Sequence, residues 1–468
     1  MSTPMPAPRT LGELRASGYR PRSLREEMRD NLVAALRDNR PLFPGIVGYE
    51  HSVIPAIENA ILSGQDIIFL GERGQAKTRL ARSLVALLDP WLPVVAGSEI
   101  NDDPLAPISR QARDLVAAQG DATPIAWLPR DRRFGEKLAT PDTTIADLIG
   151  EVDPIKVAEG RYLTDELTIS YGLILRTNRG IFNLNELPDL SERIQVGLLN
   201  IMEERDVQIR GYTIRLPLDV LVVASANPED YTNRGRIITP LKDRYGAQIR
   251  THYPVTTDLE IAVMDQEAVV PEVEGIQVVV PAYMKEIVAE VTHHARRSPD
   301  VSQRSGVSVR MSVANQETLV ANAIRRAIRL GEKQATPRIS DLPALAASTV
   351  GKIELETMGD TREEDVVDRL IRAAVAAVFA RTFNVRQFDP LVQAFDNGLT
   401  VDASERMPAM DYVVQISHLD GVREGVEQLG ASGDPAAVAA AVEFILEGLH
   451  LARKLNKDAH GGPTRYSR

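Results

Sequence analysis

Apolar positions along this chain of 468 residues change their period twice. Ser23 and Glu26 make a capping-box pair, and Leu24, Met28, Leu32 and Leu36 then recur at the spacing of one helical face. Val53, Ile57 and Ile61 mark a second helix, around 50–63, that stops at Gly64. Beyond it, short and nearly continuous apolar runs alternate with helical stretches: "DIIFLGERGQAKTRLARSLVALL", "VVAG", "GIFNLNEL", a helix over 191–204, and "VLVVASAN". Such runs are strands buried on both faces, and their alternation with helices predicts a mostly parallel sheet covered on both sides.

Other stretches break this rhythm. Residues 1–22 hold several prolines and no period, which reads as a loose arm. Residues 100–145 are polar, contain prolines and exceed a normal connection within such a sheet, so they read as an insertion. "DVQIRGYTIRLPL" alternates around Gly211 as a β-hairpin does. After about 256 the period is helical. Thr257 with Glu260 caps one helix, and "AYMKEIVAEVTHHARRS" and "VRMSVANQETLVANAIRRAIRLGE" form two more. Helical blocks follow over roughly 340–356, 361–382 and 434–456, the last with Asp434 as cap and Pro435 at its first position. The tail "AHGGPTRYSR" reads as frayed. The predicted organisation is an N-terminal arm and helix over 1–40, an α/β nucleotide-binding domain over 41–256, a helical lid over 257–382 and a C-terminal helical region over 383–468.

Composition narrows the chemistry. No run approaches the ~20 apolar residues of a membrane span, and the amino terminus lacks the apolar core of a signal peptide, so the expected placement is cytoplasmic. The absence of cysteine removes thiolate nucleophiles and Cys-ligated zinc, and the seven histidines show no metal-binding spacing. His293 and His294 are adjacent, about 100° apart on a helix, and read as ordinary surface or packing residues. A net charge of -11 argues against broad attachment to nucleic acid or anionic lipid, and the basic residues of "ARDLVAAQ" and "IRRAIRLGEK" read as solvated faces.

The chemistry begins at "GERGQAKT". Gly71, Lys77 and Thr78 fit the phosphate-binding pattern G-x-x-x-x-G-K-T, with Ala76 at its second glycine and Gly74 inside it. The loop needs small residues so that its backbone N–H groups can turn toward phosphates. It follows the strand 67–70 and opens a helix over 77–88, so the phosphates of ATP or another NTP would lie at a helix start. Lys77 would reach the β and γ phosphates, and the Thr78 hydroxyl would ligate Mg2+.

In "GIFNLNELPDL" a strand over 181–184 delivers Asn185 and Glu186 to the carboxyl edge of the sheet, where open α/β sheets bind ligands. Glu186 is the candidate to polarise an attacking water. Asn185 occupies the place of a magnesium-orienting aspartate. Its amide oxygen still accepts a hydrogen bond but brings no charge, which predicts weaker magnesium affinity. On this reading Asn185→Asp tightens the magnesium dependence, and Asn183 points into a side-chain hydrogen bond within the sheet and takes no part in the chemistry.

The combination "DLIGEVDP", "GLILRTNRGIFNLNELPDLSERIQVGLLNIMEERDVQIRGYTIRLPLDVLVVASANPED" and "TPLKDRYG" resembles the AAA+ ATPases of the MoxR and magnesium chelatase I-subunit group over about residues 40–350. The resemblance implies a P-loop NTPase parallel sheet with β-hairpin and helical insertions, followed by a helical lid. It implies that Gly71, Glu72, Arg73, Gly74, Gln75, Ala76, Lys77 and Thr78, with Arg79 after them, hold the nucleotide, and that Val47 and Gly48 of "IVGYE" lie beside the adenine. Asn185 and Glu186 correspond to Walker B, Asn227 to sensor 1, Arg244 to the arginine finger that reaches a neighbour's nucleotide, and Arg310 to sensor 2. ATP and Mg2+ are the implied cofactors. A hexameric ring of identical subunits and a client bearing a von Willebrand factor A domain are the implied partners. Two alternatives stay open: a motor subunit of a metal chelatase, and a nucleotide-binding switch in which Asn185 has made turnover negligible. Relatives that remodel sigma-54 polymerase carry a GAFTGA loop, a string this chain does not contain.

Overall fold

The computed structural model describes residues 4–153, 166–204, 216–227, 236–302, 306–356, 362–416, 419–458 and 464–468; the hairpin expected around Gly211 lies outside them. The chain forms two compact units, Met1–His252 and Tyr253–Arg468.

The first unit is built on strands β1 (Ile67–Leu70), β2 (Trp91–Val95), β3 (Ile125–Pro129), β4 (Phe134–Leu138), β5 (Gly150–Val152), β6 (Ile169–Tyr171), β7 (Gly180–Asn185), β8 (Val220–Ala226) and β9 (Ala247–Arg250). Five of them make one parallel sheet in the order β4-β7-β8-β1-β9. Alternate side chains feed two cores. Ile67, Phe69, Leu221 and Val223 pack with Leu24, Met28, Val53 and Ile57, while Ile68, Phe182, Val222 and Ala224 pack with Ile194 and Leu198. With both faces covered, the ligand-accessible part of the sheet is its carboxyl edge, where Leu70, Asn185, Ala226 and Arg250 end their strands.

Membership of the sheet departs from the sequence reading. The strand read at "VVAG" pairs antiparallel with β3, outside the central sheet. Pro93, which has no N–H to give a ladder, suits it to a two-stranded ribbon rather than a central place. The edge of the central sheet is instead β4, drawn from the segment read as an insertion, in register with β7 so that Glu136 pairs with Asn183 and Leu138 with Asn185. Its sequence, "FGEKL", lacks the apolar run of a buried strand because it is an edge.

The N-terminal segment is also more ordered than expected. Leu11–Ala16 is a helix capped by Thr10; Leu11 and Leu14 are fully buried, and the Trp127 indole donates to the Pro8 carbonyl at 2.8 Å. The helix Leu24–Arg37 carries the Ser23/Glu26 capping box as read, and Val53–Leu62 ends before Gly64, whose φ is +68°. The helix after the phosphate loop is α-helical only over Lys77–Ser83 and tightens to a 3-10 turn over Leu84–Leu87.

In the second unit the larger apolar cluster draws on residues from Met264 to Tyr466, on both sides of position 382, and a smaller one gathers Val320, Ala323, Ile324, Ala327 and Ala335. Its long helices are Thr257–Glu267, Ala282–Arg297, Val309–Leu330, Glu363–Thr382 and Pro435–Leu451, the first capped by Thr256 rather than Thr257. Asp434 and Pro435 open the last as read. Helices Glu363–Thr382 and Pro435–Leu451 approach so closely that a Cβ on Gly448 would meet Phe379 at 2.0 Å. The block at 340–356 is mostly 3-10 turns, with Pro343 interrupting the α-helical ladder. The unit is not all helical: Gln277–Val278 pairs with Gln334–Ala335, and Val401–Ala403, Asn456–Asp458 and Thr464–Ser467 form an antiparallel sheet. The tail read as frayed thus ends in a strand, anchored by the buried Tyr466. Among the described residues, no helix is long and apolar enough to cross a membrane.

Candidate functional site

The phosphate loop is shaped by backbone that few residues tolerate. Gly74 has φ +75° and Ala76 φ +55°, both left-handed. The pattern's usual glycine at 76 reflects this geometry, which costs an L-residue roughly 1–2 kcal/mol. Gly71 answers a different constraint: a Cβ there would meet Thr251 Oγ1 at 2.0 Å and Gln75 Oε1 at 2.2 Å. That pair closes the loop's base, because Gln75 Oε1 accepts from Thr251 Oγ1 at 2.7 Å and from the Glu72 N–H at 3.1 Å.

Lys77 is 7% exposed, and its ammonium donates to the carbonyls of Gly71 and Glu72 (2.9 Å to the latter) and to Asn227 Oδ1 at 2.6 Å. Asn227, at the end of β8, donates its Nδ2 to Glu186 Oε2 at 2.7 Å. An ammonium can only donate and a carboxylate can only accept, so these neighbours fix the amide's orientation. Glu186 holds φ +55°, ψ +48°, a strained conformation for a non-glycine residue, and its N–H donates to Ser225 Oγ at 3.3 Å. The turn thereby presents the carboxylate to Asn227.

On the other side of the loop, Thr78 Oγ1 donates to Asn185 Oδ1 at 3.4 Å. The same oxygen accepts from Asn183 Nδ2 at 3.2 Å and Ser225 Oγ at 3.3 Å, while Asn185 Nδ2 donates to Glu136 Oε1 at 2.6 Å. Glu136 in turn accepts from Arg82 Nε at 3.0 Å and Nη2 at 2.7 Å, and from Asn183 Nδ2 at 3.3 Å. Asn183 thus makes side-chain hydrogen bonds within the sheet, as read from the sequence, although its buried Oδ1 has no hydrogen-bond partner among the described residues.

Segment 46–50 is tied to the loop by Tyr49. Its hydroxyl lies 3.0 Å from the Gln75 carbonyl and 2.7 Å from that of His252, and its ring meets His252 edge-on at 4.9 Å. Burial pushes the phenol up to about 12, so it stays a neutral donor. Val47 and Gly48, which precede it in the chain, are half-buried. A cleft of about 340 Å³ opens on the loop's other flank, lined by Gly71, Glu72, Gln75 and Thr251 together with Lys242 and Arg250.

The structure therefore brings together Gly71, Gly74, Gln75, Ala76, Lys77, Thr78, Asn185, Glu186 and Asn227. Arg73 and Arg79 are exposed beside them. Arg244 joins none of these hydrogen bonds: it ends the helix Thr239–Arg244 and donates to Glu203 (3.0 Å through Nε) and to the Pro240 carbonyl at 2.8 Å. Arg310 belongs to the second unit, exposed in the first turn of Val309–Leu330, with its N–H on the Ser308 cap. Sequence reasoning missed Glu136, Ser225 and Thr251. Ser225 and Thr251 lie in or just after central strands near the asparagine and glycine the motifs name, but Glu136 had no signal while its strand was read as an insertion.

The donors fit magnesium. A hydroxyl and an amide oxygen converge at the sheet edge, and Mg2+ typically takes only one or two protein ligands, filling its octahedron with water and phosphate oxygens. No cluster of three or more His, Cys, Asp or Glu suited to an all-protein metal site occurs among the described residues.

A family model described as the Sigma-54 interaction domain matches residues 158–241. The magnesium-chelatase subunit ChlI-1 of Arabidopsis thaliana is 28% identical over 239 residues, covering 49% of this chain and 52% of that protein. ChlI of Nostoc sp. is 27% identical over 235 residues, 48% of this chain and 58% of its own. The chain thus spans about half the length of the curated relatives it matches. Among solved structures, NtrX from Brucella abortus in complex with ATP is 16% identical with a TM-score of 0.40, covering 78% of this chain and 69% of that one. A BchI–BchD assembly of magnesium chelatase gives 19% and 0.35, covering 69% and 98%. The loop after β1, the Asn185–Glu186 turn after β7 and Asn227 after β8 meet at one edge of the parallel sheet, and the matched family model and the chelatase relatives make the chain similar to the AAA+ ATPases of the magnesium chelatase I-subunit group.

Proposed function

We propose that this chain is a magnesium-dependent ATPase that works as a homo-oligomeric ring of six subunits and couples hydrolysis to remodelling or activating a partner protein. The observation that carries this reading is the hydrogen-bonded run from Lys77 through Asn227 to Glu186. It sets a cation for phosphate and a carboxylate for water at a fixed separation on one edge of the sheet. Lys77 exchanges its carbonyl partners for phosphate oxygens, and the N–H groups of the loop 71–78 cradle the rest. Glu186 orients the attacking water and takes its proton as the bond from the γ-phosphorus to the leaving oxygen breaks. Thr78 and Asn185 hold the magnesium, which when bound neutralises charge on the phosphates. Arg244 acts as the arginine finger on a neighbour's nucleotide, and Arg310 serves as sensor 2. Val47 and Gly48 border the adenine.

The client consistent with the resemblance is a protein with a von Willebrand factor A domain. A second reading, a motor subunit that drives metal insertion into a tetrapyrrole, is favoured by the relatives being chelatase subunits. Insertion activity on mixing with porphyrin-binding subunits separates the two. The test of the common core is single-turnover ATP hydrolysis against protein concentration. A steep rise with concentration and a large drop in Glu186→Gln are expected. Equal, slow hydrolysis by wild type and variant, with ATP still bound, would leave only a nucleotide switch.

A further inference from the structure

Asn185 occupies the place where the charge of an aspartate is expected, yet a carboxylate is present one strand away. Glu136 of β4 accepts from Asn185 Nδ2 at 2.6 Å, and that amide's oxygen faces Thr78 Oγ1. We propose that Glu136 is a positioning residue for the magnesium site, and that Glu136 and Asn185 together replace the single aspartate of the motif. This inference rests on the ATPase reading above and says how its metal site is completed.

Three features support it. First, the side-chain amide of an asparagine can face either way, and a group that accepts without donating dictates the choice. Glu136 turns the NH2 toward β4 and leaves the oxygen for Thr78 and the metal side. Second, the carboxylate is itself held: Arg82, from the helix that the phosphate loop opens, donates to it twice at 2.7 and 3.0 Å. The helix carrying Thr78 and the strand carrying Glu136 are thereby locked to the same amide. Third, the carboxylate, although paired with Arg82, accepts directly from the amide N–H and so polarises the amide toward the oxygen that faces Thr78. Partners of this kind tune a metal ligand that they do not replace.

This reverses the expectation for Asn185→Asp. A carboxylate at 185 would face that of Glu136 across a 2.6 Å contact, so the like charges oppose it. Restoring the motif alone should harm the site, and restoring it with Glu136→Gln should repair it.

The experiment uses the full chain as wild type, Glu136→Gln, Asn185→Asp and the double variant. Two readouts are taken: binding of mant-ADP titrated with Mg2+, and the thermal midpoint without nucleotide. Glu136→Gln is expected to leave mant-ADP binding without Mg2+ unchanged and to raise the half-saturating Mg2+ concentration about tenfold. Asn185→Asp should lower the midpoint and improve nothing. The double variant should regain the wild-type midpoint and at least the wild-type magnesium dependence. Single effects that simply add in the double variant, or an unmoved magnesium requirement in Glu136→Gln, overturn the proposal while wild type binds normally. Failure of wild type to bind mant-ADP would instead overturn the ATPase reading, and this one with it.

Discussion

The side-chain amide of Asn227 stands between opposite charges, accepting from Lys77 at 2.6 Å and donating to Glu186 at 2.7 Å. Each substitution there has a distinct consequence. Asn227→Ala removes the donor that holds Glu186, and should lower turnover about 10²-fold with ATP affinity little changed, since losing one such donor has that order of effect. Asn227→Asp keeps the acceptor for Lys77 but sets a second carboxylate against Glu186, and should be the worse of the two. Parallel measurement of kcat and of nucleotide Kd checks both, and an affinity loss as large as the rate loss would place Asn227 in binding rather than in orientation.

How much of this was legible in the sequence follows from which interactions are local. Gly71 to Thr78 and Asn185–Glu186 are read from contiguous residues, because a phosphate loop and a strand-end acid are built by the chain within a few positions of themselves. Asn227 could be placed because its strand opens with the apolar run Val220–Ala224. Glu136 could not. Its role depends on the register of an edge strand against β7, and an edge strand of mixed polarity has no sequence signature. The N-terminal helix Leu11–Ala16 was hidden similarly: six residues show no period, and its order comes from contacts with the Thr123–Trp127 stretch. The C-terminal strand Thr464–Ser467 likewise lies between the nearby Asn456–Asp458 and Val401–Ala403, a partner more than sixty positions away.

Acidity should act on the second unit through His293. The ring is 7% exposed and its Nε2 has no hydrogen-bond partner among the described residues. Burial, then the cation of Arg296, holds its pKa below the ordinary histidine value, while Glu260 at 3.7 Å and Glu290 pull the other way. Glu260 has little to offer it, being engaged by Arg296 and Ser312. The folded state therefore refuses a proton that the unfolded chain accepts near pH ~6.5. Stability is complete above that pH and falls as pH drops through it toward the lower folded value. Urea midpoints measured from pH 8 to 5 should decline in wild type and flatten over that interval in His293→Gln; an unchanged slope would assign the effect to other groups.

Arg244 supplies the strongest test of assembly. Within its own chain it is paired with Glu203, a residue 56% exposed, so the bond is weak enough to exchange for a phosphate at a subunit interface. If the guanidinium acts in trans, Arg244→Ala should bind ATP normally and lose about 10³-fold in turnover. Glu203→Gln, which removes the competing carboxylate, should not lower it. The decisive measurement mixes two inactive proteins, Arg244→Ala and Glu186→Gln. In a head-to-tail ring assembled at random, about a quarter of the interfaces join an intact Glu186 to a neighbour's intact Arg244. Hydrolysis should therefore reappear on mixing, to about that fraction of the wild-type rate when each site works independently. No recovery, with co-assembly verified by light scattering, would confine Arg244 to its pairing with Glu203 and remove the reason for catalysis to depend on a ring.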